Sequence, residues 1–111
     1  DKLCYVSSIA ALGRSLDEKP ISESTHFSTS ENPSAYAISK YEAEREVWRG
    51  VHEGLNAVIV NPSVILGPGI WNSGSAKLFQ TIFNGLKFYT KGVNGFVDVN
   101  DVARVMMLLM D

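Results

Sequence analysis

Short apolar runs flank a helix-like segment in the first half of this chain. Residues 3–6 and 56–60 are nearly continuous apolar runs, the pattern of strands buried on both faces of a parallel sheet. Between them, residues 33–53 carry apolar side chains at helical spacing. The apolar side of this helix consists of Ala37, Tyr41, Val47, Trp48 and Val51, and its predicted solvated side of Glu42, Glu44, Arg45, Glu46 and Arg49. A strand, a helix and a strand in this order predict a right-handed crossover in a parallel α/β sheet.

Polar residues mark where these elements begin and end. Residues 13–34 are rich in Gly, Pro, Ser, Thr, Asn and Glu without a strong period, which predicts a long surface connection. Ser34 or Asn32 can cap the following helix, because either side chain can accept a hydrogen bond from a backbone N–H of the first turn. Pro33 suits that first turn, and Gly54 predicts the helix end.

The second half of the chain predicts shorter elements. They are an extended piece at 64–66, a helix at 75–84, and short strands at 88–89 and 95–99. Gly85 predicts the end of the helix at 75–84. Asn100 or Asp98 is predicted to cap a last helix, which carries Asp101 in its first turn.

Composition narrows the range of functions. The chain has 111 residues, is 20% charged and carries a formal net charge of −2, which gives no electrostatic reason to expect nucleic acid or an anionic membrane as a partner. Its longest apolar stretches are far below the roughly 20 residues of a membrane span. Cys4 is the only cysteine, which excludes an internal disulfide and fits a reducing, cytoplasmic location. The two histidines, His26 and His52, are far apart in the sequence, so they and Cys4 do not have the spacing of metal ligands.

Both ends of the sequence lie against core-like elements. It starts at Asp1 without a methionine, almost directly before an apolar strand, and stops at Asp111, directly after the apolar run 105–110. Natural domains seldom begin and end in this way. We therefore expect residues 1–111 to be a fragment, from the central to the C-terminal part, of a longer domain, with no second complete domain.

Three polar features are expected to meet at one edge of the predicted sheet. Ser8 follows the first strand, Tyr36 lies at the start of the crossover helix, and Pro62 and Ser63 follow the second strand. Parallel topology brings these positions to the edge where ligands bind in open α/β sheets. Lys40 lies four residues after Tyr36 and shares its helix face. A neighbouring ammonium favours the phenolate, so Tyr36 can donate or take a proton near neutral pH, while Ser8 can hold a carbonyl or alcohol oxygen.

Four segments in this order resemble the extended branch of the short-chain dehydrogenase/reductases, the NAD-dependent epimerase/dehydratase family, and in particular its dihydroflavonol reductase-like members. They are the strand and serine of residues 5–8 followed by Gly13, the active-site helix of residues 33–44, the nicotinamide loop of residues 61–68, and the strand-to-helix motif of residues 95–103. The resemblance implies a partial Rossmann-like, doubly wound parallel sheet with flanking helices. The family's Gly-rich phosphate-binding turn is absent from the sequence. Gly67-Pro68-Gly69 predicts an ordinary turn instead, because Pro68 lacks an N–H donor and no Gly-x-x-Gly continuation opens a helix.

The same resemblance implies a catalytic set and a cofactor site. Ser8, Tyr36 and Lys40 would be the catalytic residues, with Tyr36 as general acid in carbonyl reduction and as base in the reverse direction. Tyr36, Lys40, Pro62 and Ser63 would contact the cofactor, NAD or NADP, and the residue that distinguishes the two would lie upstream. A small-molecule carbonyl compound is expected as the substrate and a homo-oligomer as the assembly.

Three functions within this fold stay open. An NAD(P)-dependent ketone or aldehyde reductase is favoured, because sugar-nucleotide members usually carry an Arg or an aromatic-rich sequence in place of residues 61–63. In addition, residues 50–76 contain no Arg or Lys that could bind a diphosphate. A nucleotide-sugar epimerase or dehydratase is the second function. A cofactor-sensing regulator is the third, although such proteins often lose the tyrosine or the lysine.

Overall fold

The computed structural model describes residues 1–14, 20–29, 32–89 and 92–111, which form four strands, three α-helices and one 3₁₀ helix. In chain order these are β1 (Leu3–Val6), the 3₁₀ helix (Ile9–Leu12), α1 (Ala35–His52), β2 (Ala57–Val60), β3 (Val64–Leu66), α2 (Ala76–Phe83), β4 (Phe96–Asp98) and α3 (Val99–Met110). Within the described residues, no helix is long and apolar enough to cross a membrane.

The predicted parallel connection between the first two strands is confirmed. β1 pairs with β2 in parallel, from Leu3 opposite Ala57 to Val6 opposite Val60, and α1 connects the two. Ser34 is the N-cap of α1, since its hydroxyl accepts a hydrogen bond of 3.1 Å from the backbone N–H of Ala37. This cap and the bounds of α1 agree with the helix that the sequence predicts.

The second pair of strands forms a separate parallel ladder. β3 pairs with β4 from Val64 opposite Phe96 to Leu66 opposite Asp98. The strand predicted at 95–99 is shorter than expected, because Val99 already opens α3. Asp98 caps that helix by accepting a hydrogen bond of 2.7 Å from the backbone N–H of Asn100.

The strand predicted at Phe88 and Tyr89 is wrong. Neither residue is in a strand, and their side chains are among the most exposed of the described residues, at 87% and 84%. Aromatic residues favour strands through packing against cross-strand neighbours rather than through an intrinsic backbone preference. Without such a neighbour among the described residues, the apolar pair stays in an irregular segment.

The described residues bury little apolar surface. α3 packs against all four strands, and α1 packs against the 3₁₀ helix. Yet the buried hydrophobic residues of the described chain are all alanines: Ala11, Ala37 and Ala76. The radius of gyration is 16.0 Å, whereas a compact domain of this length has about 13 Å. Large apolar side chains such as Phe83 therefore remain open to contact with further protein.

Most of the charged side of α1 faces solvent, as predicted. Arg45 pairs with Glu42 at 2.9 Å, and Arg49 pairs with Glu46 at 2.9 Å and with Glu53 at 2.6 Å. The hydrogen bonds that the exposed Arg49 guanidinium donates to Glu46 and Glu53 raise its pKa. Such surface pairs contribute little to stability. Glu44 is the exception, and its environment is part of the site described next.

Candidate active site

Ser8 lies two residues after the end of β1, where the chain turns into the 3₁₀ helix. It is the N-cap of that helix, and its Oγ accepts a hydrogen bond of 3.2 Å from the backbone N–H of Ala10. A serine hydroxyl has one O–H donor besides its two acceptor sites. The capping bond uses an acceptor, so the O–H remains able to donate to the oxygen of a ligand.

Lys40 reaches from α1 to the end of β1. Its Nζ donates a hydrogen bond of 3.1 Å to the backbone carbonyl of Val6 and lies 5.7 Å from the centre of the Tyr5 ring. Both contacts are with the last residues of the strand that leads into Ser8. The structure thus brings the ammonium of Lys40 to the carboxyl end of β1.

Tyr36 lies one helical turn before Lys40, in the first turn of α1. Its side chain is 58% exposed, and its hydroxyl makes no hydrogen bond with the described residues. An exposed aromatic residue with no partner contributes little to the packing of this chain. Its hydroxyl is accordingly available to a bound molecule.

Pro62 and Ser63 follow β2 and run beside the Ser8 loop. The ladder between β1 and β2 continues past both strands, since the Ser7 N–H donates to the Val60 carbonyl at 2.9 Å and the Ile9 N–H donates to the Pro62 carbonyl at 3.1 Å. The carboxyl ends of the two strands therefore form one surface, on which the predicted residues from both strands meet.

An open cavity of about 550 Å³ lies at this surface. Pro62 and Ser63 line it together with the 3₁₀ helix, β4 and α3. Its volume is in the range of small-molecule sites. Tyr36 and Lys40 are not among its lining residues, so in the described residues the tyrosine and the cavity do not share a wall.

Glu44 is a residue of this region that the sequence analysis placed wrongly. It was expected to be solvated, but only 9% of it is exposed. Its Oε2 accepts a hydrogen bond of 2.7 Å from Nδ2 of Asn61, and its Oε1 accepts one of 3.3 Å from Nε1 of Trp48. The spacing of 36, 40, 44 and 48 could have revealed this position, because residues four apart share a helix face.

The loop before α1 also contacts the helix. Phe27 stacks on Tyr41 with ring centres 4.2 Å apart and planes inclined by 11°. The connection before α1 is thus packed against the helix at Phe27, and residues 15–19 and 30–31 of the predicted connection lie outside the described residues. Among the described residues no group of three or more His, Cys, Asp or Glu side chains could hold a metal ion.

Comparison with known proteins adds to this geometry. The whole chain, residues 1–111, matches the model of the NAD dependent epimerase/dehydratase family. A putative dihydroflavonol 4-reductase of Synechocystis sp. is 33% identical over 108 residues, which cover 93% of this chain and 31% of that protein.

Two solved structures resemble the chain in three dimensions. The crystal structure of gox2253 matches with a TM-score of 0.87 and 35% identity, over 98% of this chain and 34% of that one. The UDP-glucose 4-epimerase of Thermus thermophilus, in complex with NAD, matches with a TM-score of 0.71 and 26% identity, over 97% and 39%. The chain spans about a third of the length of the proteins it matches. The likeness confirms the partial Rossmann-like α/β fold, and the match of the family model along its whole length shows that the chain belongs to the NAD-dependent epimerase/dehydratase family.

Proposed function

We propose that this chain carries the catalytic residues of an NAD(P)-dependent reductase that converts a ketone or an aldehyde to an alcohol. The observation that carries the proposal is the bond from the Lys40 ammonium to the carbonyl of Val6, two residues before Ser8. This bond ties the helix that bears Tyr36 to the strand end that bears Ser8. A substrate oxygen at this edge can then meet a hydroxyl donor from the strand and a proton donor from the helix.

Each residue has a distinct role in the proposed reaction. Ser8 donates its O–H to the carbonyl oxygen and orients it. Tyr36 gives its phenolic proton to that oxygen as the carbon is reduced, and the phenolate is reprotonated from solvent. Lys40 stabilises the phenolate through its positive charge. A reduced nicotinamide supplies the hydride to the carbonyl carbon when it is bound.

The described residues fit the nicotinamide half of the cofactor. The Lys40 ammonium and the exposed hydroxyl of Tyr36 are polar groups that a ribose can contact, and Pro62 and Ser63 border the cavity at the carboxyl ends of β1 and β2. The sequence contains no Gly-x-Gly-x-x-Gly turn for the pyrophosphate. We therefore propose that this chain binds the reactive end of NAD or NADP and that the phosphates bind elsewhere in the full-length protein.

We also propose that the chain is the central to C-terminal part of the nucleotide-binding domain. Two observations support this: it spans 31% of its putative dihydroflavonol 4-reductase relative, and its described residues bury only alanines as hydrophobic residues. The exposed apolar faces would be covered by the rest of the domain and by a second copy in a homo-oligomer. The single cysteine is consistent with the reducing cytoplasm as its location.

The alternative within the family is an epimerase or dehydratase that acts on a nucleotide sugar. The likeness to a UDP-glucose 4-epimerase favours this alternative. The higher identity to a putative reductase and the absence of Arg and Lys from residues 50–76 favour the reductase.

Net cofactor consumption separates the two. A reductase uses one reduced cofactor for each product molecule, whereas an epimerase returns the hydride to its substrate. The full-length protein should oxidise NADPH or NADH in a one-to-one ratio with a hydrophobic ketone or aldehyde, and it should leave UDP-glucose unchanged. Epimerisation of UDP-glucose without net NADH or NADPH consumption would contradict the reductase assignment.

A further inference from the structure

The side chain of Asn61 joins the two strand ends of the candidate site. Its Nδ2 donates one hydrogen bond of 2.7 Å to Oε2 of Glu44 and another of 3.2 Å to the backbone carbonyl of Ser8. A side-chain amide nitrogen has two N–H donors. Both are therefore used, one on α1 and the other on the residue that bears the proposed catalytic hydroxyl.

Glu44 determines which way this amide faces. A carboxylate oxygen can only accept hydrogen bonds, so the Nδ2 end of Asn61, and not its oxygen, must point towards Glu44. The same orientation directs the second N–H to the Ser8 carbonyl. Trp48 occupies the other oxygen of Glu44 with its indole N–H, at 3.3 Å. The carboxyl group of this nearly buried residue thus has a donor on each oxygen.

We propose that Glu44 and Asn61 are positioning residues for Ser8, an inference that rests on the proposed function. Asn61 holds the Ser8 carbonyl, and Glu44 holds Asn61 in the orientation that makes this possible. The N–H of the neighbouring Ile9 donates to the Pro62 carbonyl. Together with the bond from Asn61 to Ser8, it keeps the loop after β1 against the loop after β2. The backbone of Ser8, which bears the proposed catalytic hydroxyl, is thereby held in place.

A glutamine at position 44 cannot replace the carboxyl group. Trp48 and Asn61 donate to different oxygens of Glu44, and a glutamine side chain has an NH₂ group, which cannot accept, in place of one of them. Either the indole loses its partner or the Asn61 amide turns over and releases Ser8. The reciprocal double variant, Glu44→Gln with Asn61→Asp, restores both hydrogen bonds at position 44. The amide oxygen there accepts from Trp48, and the amide NH₂ donates to the carboxylate at position 61. In that variant, however, the ionised carboxylate at position 61 has no N–H to give to the Ser8 carbonyl.

The experiment compares Glu44→Gln, the double variant and Glu42→Gln in the full-length protein. Glu42→Gln is the matched control, because it makes the same chemical change on the exposed side of α1. Three quantities are measured: kcat for carbonyl reduction, the melting temperature, and hydrogen exchange of the Ile9 and Ala10 amides. The exchange rates report on the Ser8 loop whether or not the protein turns over.

Glu44→Gln should lower the melting temperature, speed exchange at Ile9 and Ala10, and lower kcat by roughly 10- to 100-fold, since small misplacements of reacting groups have effects of this size. The double variant should recover the part of the melting temperature that depends on the pairs at position 44, but keep the low kcat and the fast exchange. A residue that served only stability would not separate these readouts. Recovery of kcat together with the melting temperature would overturn the inference, as would Glu44→Gln behaving like Glu42→Gln.

Asn61→Ala provides a second route if the double variant does not fold. It removes the donor to Ser8 and leaves the bond between Trp48 and Glu44. We expect the same loss of kcat and the same rise in exchange, and wild-type values for both would overturn the inference. Failure of the proposed function has a different signature: a wild-type protein that reduces no carbonyl compound, with exchange at Ile9 still responding to Glu44→Gln. That result would remove the reductase assignment and support the anchoring of the Ser8 loop.

Discussion

Tyr36→Phe removes a single hydroxyl from α1, and its expected effects on catalysis and on stability differ widely. A positioned general acid contributes roughly 10²–10⁴ to the rate, which corresponds to about 3–5 kcal/mol of transition-state stabilisation. The tyrosine is 58% exposed, and its hydroxyl has no hydrogen-bond partner among the described residues. Surface changes of this kind alter the free energy of unfolding by about 0.5 kcal/mol or less. We therefore expect a large loss of kcat in a protein that folds normally and still binds NAD(P)H.

Tyr41→Phe is the matched control for this experiment. Tyr41 lies on the same helix and stacks on Phe27, a contact that the ring alone maintains. Oxidation of NADPH or NADH is followed by absorbance for both variants of the full-length protein, and cofactor affinity is measured by calorimetry. Tyr41→Phe should retain near-normal turnover. Near-normal activity in Tyr36→Phe, or an equal loss in both variants, would refute the role of Tyr36 as general acid.

Three further predictions concern the cofactor, the turn after β3 and the chain alone. Lys40→Met should both weaken NAD(P)H binding and lower kcat, because it removes the ammonium now hydrogen-bonded to the Val6 carbonyl. Calorimetry and steady-state kinetics on the full-length protein test this prediction, and unchanged affinity and kcat would contradict it. Gly67→Ala should destabilise the protein by roughly 1–3 kcal/mol in thermal or urea unfolding, because its Cβ would lie 2.5 Å from Cγ1 of Val99, whereas Gly69→Ala, with no atom within 4 Å, should have little effect. Equal stability of these two variants would contradict the steric argument. The isolated chain should self-associate through its exposed apolar faces and have no appreciable affinity for NAD(P)H, because it lacks a turn for the phosphates. Sedimentation and calorimetry test this, and micromolar binding to a monomeric chain would show the expectation to be wrong.

Local chemistry was enough to predict the elements that place the candidate site. The apolar runs at 3–6 and 56–60 predicted β1 and β2, and the cap at Ser34 with the stop at Gly54 predicted the bounds of α1. These signals lie within a few residues of the structure they specify. The parallel pairing of β1 with β2 follows from the same pattern, because a helix of this length between two strands carries the chain back to the starting edge.

Structural features that depend on residues far away in the sequence could not be predicted in this way. Phe88 and Tyr89 have strand-forming side chains, but a strand also requires a partner. Glu44 has the composition of a solvated position, and only the approach of Asn61, 17 residues further along the chain, makes its burial favourable. The sequence by itself determined the family and, apart from the strand predicted at 88–89, the order of the strands and α-helices, and it predicted the residues to which we assign the chemistry. The tertiary structure decided which backbone atom receives the Lys40 ammonium and how Asn61 holds Ser8, because a hydrogen bond depends on the positions of two groups that the chain brings together only when it folds.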